Sequence, residues 1–220
     1  GHGPAGPDPR VEPVKLVGLS GGIGCGKSTV AERLRRLGAD TIDVDLLNRE
    51  LQQPGLPLFE QIVERWGDRV VAPDGQLDRP ALSRIVFQDR AELAALTMMA
   101  APITEAELVR RAARHEGTDD VVVYEAAMFL GKQYGMEGLI VVDTPPEVAL
   151  ERLVRQRGMP EADARARIGS QIPREHRVAA ADHVIDNSGR PDDLDEPVER
   201  AWAWIHELPD GLPRISRGRP

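Results

Sequence analysis

Cysteine is nearly absent: Cys25 is the single thiol in 220 residues. One thiol closes no internal disulfide and builds no zinc site by itself. The chain therefore has no disulfide framework for an oxidising compartment, and a cytoplasmic setting is expected. Histidine is sparse and scattered. His2, His115, His176, His183 and His206 show no ligand spacing, which argues against a histidine metal centre. Positive charge is in deficit: 28 Lys and Arg against 36 Asp and Glu leave a net charge of −8, the wrong sign for a protein that coats nucleic acid. No apolar run approaches the roughly 20 residues of a membrane helix, and Gly1–Arg10 lacks the apolar stretch of a signal peptide. The expected partner is a small-molecule acceptor, with no nucleic acid and no membrane, and the expected state is a monomer or small homo-oligomer. Hydrophobic residues make up 41% of the chain, enough for a buried core without covalent staples.

Apolar runs alternate with helical periods, the pattern of parallel strands wrapped by helices. Strands are expected at Val14–Leu19, Thr41–Val44, Val121–Tyr124, Leu139–Val142 and His183–Ile185. Helices are expected at Ser28–Leu37, Pro57–Trp66, Arg79–Phe87 and Ala91–His115, the last interrupted at Pro102. Asp74-Gly75 marks a turn. The core is expected to comprise 13–45, 117–148 and 182–208, with a helical insertion at 46–116 and a second, Arg-rich one at 149–181. Residues 1–12 and 209–220 are expected to be a loose leader and tail.

The strongest motif is Gly21-Gly22-Ile23-Gly24-Cys25-Gly26-Lys27-Ser28, a complete G-x-x-x-x-G-K-[ST] between a strand and a helix. Such a loop curls so that its N–H groups point inward at phosphate oxygens, and glycines keep side chains out of the way. The helix N-terminus adds partial positive charge. Gly22, Ile23, Gly24, Cys25, Gly26, Lys27, Ser28 and Thr29 are thus expected to hold ATP, with Lys27 on the β- and γ-oxygens and the Ser28 hydroxyl on Mg²⁺. Cys25 reads as a small filler of the loop.

Transfer of a phosphoryl group to an alcohol is helped by a carboxylate that takes the hydroxyl proton. Asp43 and Asp45 close the second expected strand, and their spacing puts both on one face if the strand continues. The alternative is helix capping. Arg79, opening a helix, is a candidate clamp for an acceptor phosphate or carboxylate, and Glu125 is a candidate acceptor-side carboxylate. Arg152, Arg155, Arg157, Arg165, Arg167, Arg174 and Arg177 cluster in one segment. They suit a lid that brings cations to the phosphates, and equally a solvated face paired with Glu151, Glu161, Asp163 and Glu175. Arg152 and Arg157 are expected at phosphate.

Gly18 to Ser28 and Ile42-Asp43-Val44-Asp45 resemble the opening of bacterial dephospho-coenzyme A kinases. The likeness continues through Gln53-Pro54-Gly55, Asp74-Gly75-Gln76-Leu77-Asp78-Arg79, Arg152-Leu153-x-x-x-Arg157 and Ala181-Asp182-His183-Val184-Ile185-Asp186-Asn187-Ser188-Gly189, from about Val14 to Trp204. The resemblance implies an α/β P-loop kinase fold: a three-layer core with a parallel five-stranded sheet, a helical acceptor-binding insertion and a mobile helical lid. It implies phosphorylation of the ribose 3′-hydroxyl of dephospho-coenzyme A by ATP, the last step of coenzyme A synthesis. It makes Asp45 the base, Lys27 and Arg152 its catalytic partners, and Arg157, Asn187 and Gly189 nucleotide contacts. Two segments depart from the family pattern: Ala101-Pro102 stands where His-Pro is usual, and Glu125 to Lys132 replaces Pro-Leu-Leu with a following Glu. They leave open another hydroxyl as acceptor, or a nucleotide-binding protein without kinase activity.

Overall fold

The structure is a computed structural model that describes residues 14–115, 120–127, 129 and 131–208. The expected leader and tail, and Met128 and Leu130 of the departing segment, lie outside the described residues. The chain divides into two compact units. One takes the residues up to Ile42 and those from Ala112 on; the other is Asp43–Arg111.

The first unit is built on a five-stranded sheet: β1 (Lys15–Gly21), β2 (Asp40–Asp43), β3 (Val121–Glu125), β4 (Gly138–Asp143) and β5 (His183–Asp186), in the order β2-β3-β1-β4-β5. β1 pairs in parallel with β3, Leu19 opposite Glu125, and with β4, Gly21 opposite Val142; β4 pairs in parallel with β5. Every residue of β1, β3 and β4 is buried, as expected of central strands covered on both faces. One face presents Val17, Leu19, Val121, Val123, Ile140, Val142 and Ile185 to Val30, Ala31 and Leu34 of α1 (Lys27–Leu37) and to Val198, Ala201 and Ile205 of the last helix. The period of two along the strands meets the i, i+4 stripe of the helices. Helix α1 stops where Gly38 adopts φ +114° and its N–H caps Arg35 and Leu34 carbonyls.

The helical unit holds α2 (Val44–Leu51), α3 (Pro57–Trp66), α4 (Arg79–Gln88) and most of α5 (Arg90–Ala112). Leu58, Phe59, Ile62, Trp66, Val70, Leu77, Leu82 and Val86 form its core. Asp78 caps α4 by accepting from the Ala81 N–H at 2.9 Å, with Pro80 in the first turn. Two expectations are corrected here. The second strand ends at Asp43, whose carboxylate accepts the Leu46 N–H at 2.8 Å and starts a helix; Asp43 and Asp45 therefore do not share a strand face. Pro102 sits inside one 23-residue helix rather than interrupting it. Met99, Ala100 and Ile103 pack against the unit's core on either side of it, and that burial holds the axis through the missing hydrogen bond.

After β4 the chain forms α6 (Pro146–Arg157), α7 (Glu161–Gly169) and α8 (Arg174–Ala179), and after β5 it ends in α9 (Asp195–Glu207). By its contacts the α6–α8 segment belongs to the sheet-bearing unit.

His115, in a 3-10 turn after α5, joins the start of two strands. Its Nδ1 lies 2.9 Å from Asp120 Oδ2 and its Nε2 2.8 Å from Asp40 Oδ2. The hydrogen bond with Asp120, aided by the one with Asp40, raises its pKa above 6.5 against the opposing effect of burial. A folded-state value above the unfolded one gives stability that is complete below about pH 6.5 and is lost as pH climbs through the folded-state value. The melting temperature should thus fall between about pH 6 and pH 8, and His115→Asn should flatten that fall. Parallel melting curves for the two proteins would refute the role.

Candidate active site

The phosphate loop joins β1 to α1, at the C-terminal edge of the sheet, where β1 lies between β3 and β4. Parallel α/β sheets take their ligands at that edge. Gly24 and Gly26 adopt φ +75° and +86°, a region closed to most side chains. A Cβ on Gly24 would also stand 2.9 Å from the Ala149 carbonyl, and one on Gly26 would collide with Asn187 Nδ2. Turning the amides inward leaves the Cys25 carbonyl facing the protein. It accepts from Asn187 Nδ2 at 2.7 Å and from Thr144 Oγ1 at 3.2 Å. The Cys25 side chain is 3% exposed, and burial pushes its thiol pKa up, against the lowering effect of Lys27 and the neighbouring arginines. An unreactive filler is what that environment supports.

Gly24, Gly26, Ser28 and Thr29 line a cavity of about 140 Å³ with Arg152, Gln156 and Arg157 of α6, and with Asn187, Pro191 and Leu194. Arg152 donates from Nη2 to the Gly189 carbonyl at 3.2 Å, while its Nη1 is buried without a partner among the described residues. A guanidinium nitrogen held dry beside Gly26 is set for an anion. Six of the expected nucleotide residues, together with Arg152, expected as catalytic, therefore line one cavity. Ile23 and Gly22 lie instead under the α7–α8 connection, and Gly189 contributes a carbonyl to Arg152. Asn187 lines the cavity, yet its amide is committed to the loop carbonyl. Gln156, Pro191 and Leu194 carried no motif in the sequence. Their place follows from the chain's path after β4 and β5.

Lys27 and Glu125 meet at the end of β3. Lys27 Nζ is 3.3 Å from Glu125 Oε2, and Arg35 Nη2 is 2.8 Å from Oε1. Glu125 is 5% exposed. A carboxylate this buried is held by paired cations, and here it fixes the phosphate-loop lysine. These ion pairs are what the structure shows of Glu125, expected as an acceptor-side carboxylate. At the matching end of β4, Asp143 forms a two-pronged bond with Arg174, 2.8 Å to Nε and 2.5 Å to Nη2. Arg155 pairs with Glu151 and Arg165 with Glu161 one helical turn away, so part of the Arg-rich segment is a solvated face.

The helical unit has its own cavity of about 480 Å³. Asp45, Asn48, Arg49 and Arg79 line it together with Leu82, Val86, Phe87 and Leu96. Arg79 donates from Nη2 to the Arg49 carbonyl at 3.2 Å, and its Nε is buried without a partner among the described residues. Thr104 ties α5 to α2 by donating to Asn48 Oδ1 at 2.6 Å. Asp45 and Arg79 thus share one cavity, whereas Asp43 caps α2. An elongated acceptor with anionic and apolar parts would find both kinds of lining here.

Among the described residues no three His, Cys, Asp or Glu side chains converge as metal ligands, and no helix is long and apolar enough to cross a membrane.

The family model for dephospho-CoA kinase matches residues 15–193. A curated dephospho-CoA kinase of Thermobifida fusca is 45% identical over 191 residues, covering 84% of this chain and 94% of that one. Another, of Streptomyces avermitilis, is 44% identical over 191 residues, covering 85% and 92%. Among solved structures, a protein of Thermus thermophilus superposes with a TM-score of 0.74 at 29% identity, covering 88% of this chain and 98% of its own.

Replacing Asn187 by Ala removes one of two donors from the buried Cys25 carbonyl, a loss of about 1–3 kcal/mol. ADP affinity should fall about tenfold as the loop loosens. Asn187→Asp, which brings a second acceptor against the same carbonyl, should do worse. Calorimetric titration with ADP checks both, and unchanged affinity would remove the anchoring role.

Proposed function

We infer that this chain, which belongs to the dephospho-CoA kinase family, transfers the terminal phosphoryl group of ATP to dephospho-CoA and so makes coenzyme A. The observation that carries the reading is the phosphate loop with its cation-lined cavity, in a chain that matches the family over residues 15–193. The departures at Ala101-Pro102 and after Glu125 lie within that match and do not outweigh it.

We assign the residues as follows. The amides of Gly24 to Thr29 cradle the phosphates, and Lys27, oriented by Glu125, neutralises the β- and γ-oxygens. Arg152 and Arg157 add charge from α6. The cavity of the helical unit receives the acceptor, with Arg79 on its diphosphate. Asp45 orients the ribose 3′-hydroxyl and accepts its proton. The oxygen forms its bond to the γ-phosphorus as the bond to the bridging oxygen breaks, and ADP leaves with the electron pair. Mg²⁺ suits the donor set, since Ser28 opens into the cavity and this ion takes most of its ligands from phosphate and water; when bound it spreads the negative charge of the phosphates. A single buried thiol suits the cytoplasm.

Purified protein with ATP, Mg²⁺ and dephospho-CoA should release ADP and yield a product phosphorylated at the 3′-oxygen, read by phosphorus NMR. A well-folded sample without turnover would overturn the assignment. Asp45→Asn should lower kcat by about 10²-fold or more and leave ADP affinity unchanged; turnover within a few-fold of wild type would remove Asp45 as base.

A further inference from the structure

We propose that Arg177 is a further catalytic cation, acting on the transferred phosphoryl group, and that Gln171 positions it by reading the Ile23 amide at the mouth of the phosphate loop. The proposal rests on the kinase reading above and adds two residues to it.

Two contacts dock the α7–α8 connection onto the loop and the sheet edge, and a third, within the segment, aims its arginine. Gln171 Oε1 accepts the Ile23 N–H at 2.8 Å. Arg174, opening α8, is clamped by Asp143 at the end of β4. Arg177, one turn further on, donates from Nη1 to the Ile172 carbonyl. That last bond folds the guanidinium back over its own connection and sets its other nitrogen above Gly22. A Cβ built on Gly22 would lie 2.7 Å from Arg177 Nη2 and 3.2 Å from Gln171 Oε1. Among the described residues no carboxylate pairs with Arg177, although Arg155, Arg165 and Arg174 of the same segment each have one. An arginine brought to a phosphate-binding loop without a carboxylate of its own is arranged for an anionic ligand.

Position along the loop decides which phosphate. Thr29, Gln156, Pro191 and Leu194 line the cavity together with the second half of the loop, which suits the nucleoside end. Gly22 and Ile23 come before the turn and take no part in that cavity. A cation above them therefore meets the far end of the phosphate chain, where charge is redistributed as the phosphoryl group leaves. Gln171 is neutral, so it can hold the segment on the Ile23 amide without repelling that charge.

Gly22 supplies an unusual probe. It lacks the positive φ of Gly24 and Gly26, so Gly22→Ala displaces the tip of a flexible arginine with little backbone strain. Arg177→Ala should lower kcat by about 10²- to 10³-fold, toward the low end for transition-state arginines because Lys27 and Arg152 remain. ADP affinity should hold, while affinity for the β,γ-imido analogue of ATP should drop about tenfold. Guanidinium ion in solution should restore part of the lost rate. Gln171→Ala and Gly22→Ala should each lower kcat less than Arg177→Ala does, and neither should slow the Arg177→Ala protein further, because each acts through Arg177. Arg177→Ala turnover within about threefold of wild type, equal losses for ADP and the imido analogue, or multiplicative losses in the double variants would each overturn the proposal. Inactivity of the wild type toward dephospho-CoA would overturn the functional reading instead. The two-nucleotide comparison needs no acceptor and separates the two failures.

Discussion

A loop that turns its N–H groups toward a phosphate must turn carbonyls toward the protein, and a buried carbonyl without a donor costs about 1–3 kcal/mol. This constraint organises the site. The Cys25 carbonyl is met by Asn187, just past β5, and by Thr144, just past β4. Thr144 Oγ1 also lies 2.8 Å from the Asp143 carbonyl and 3.2 Å from that of Asn187, so the hydroxyl draws the ends of two strands to the loop. The Asn187 N–H in turn donates to the Asp143 carbonyl at 2.9 Å. The curl of the loop is therefore fixed from behind by the sheet, before any ligand reaches its open side.

The same edge places charge. The strands on either side of β1 both end in a carboxylate, Glu125 on β3 and Asp143 on β4. Each is nearly buried, and each holds cations: Lys27 and Arg35 at one, Arg174 at the other. A buried carboxylate is expensive unless paired, so the pairing fixes the cations as firmly as it neutralises the anions. Lys27 is thereby kept extended toward β3 instead of sampling its many rotamers. Through Arg174, the segment that follows α7 is pinned to β4. Together with the Gln171 contact to the Ile23 amide, that bond ties the α7–α8 segment to the loop and the sheet edge through polar groups.

Much of this architecture was legible in the residues. The three central strands, β1, β3 and β4, stand out as short apolar runs because they are buried on both faces, and the phosphate loop announces itself because few sequences satisfy its glycine spacing. The helical insertion and the turn at Asp74-Gly75 were equally plain. Asp43-Val44-Asp45 was not, since alternate carboxylates suit a strand end and a helix start alike; the Leu46 N–H donating to the Asp43 carboxylate decides it, and that depends on where the pairing of β2 stops. Pro102 misled for another reason. Its local penalty of about 3 kcal/mol is visible in sequence, whereas the packing of Met99, Ala100 and Ile103 that offsets it is tertiary. Asn187 and Glu125 were picked as ligand contacts, and their bonds to the Cys25 carbonyl and to Lys27 and Arg35 had no signal, because a polar residue at a strand's C-terminal end looks the same in sequence whatever it binds within the protein. Gln171 carried no signal at all: a lone glutamine between two helices gains meaning only when the fold lays it on the Ile23 amide.

The glycines of the loop answer two demands that the motif alone merges. Gly24 and Gly26 are required by their dihedrals, and also by what stands against them, the Ala149 carbonyl and the Asn187 amide. Those neighbours are rigid: one is helix backbone, the other is tied to Cys25. Gly22 has no such dihedral, and its neighbours are the ends of two long side chains. The first pair thus belongs to the shape of the cradle, which sheet and α6 enforce from below. At Gly22 a Cβ would instead take the space in which a guanidinium and an amide approach the main chain. The two ends of one eight-residue motif are thus under different constraints, the second half shaped by its dihedrals and rigid neighbours, the first by the space its flexible neighbours take.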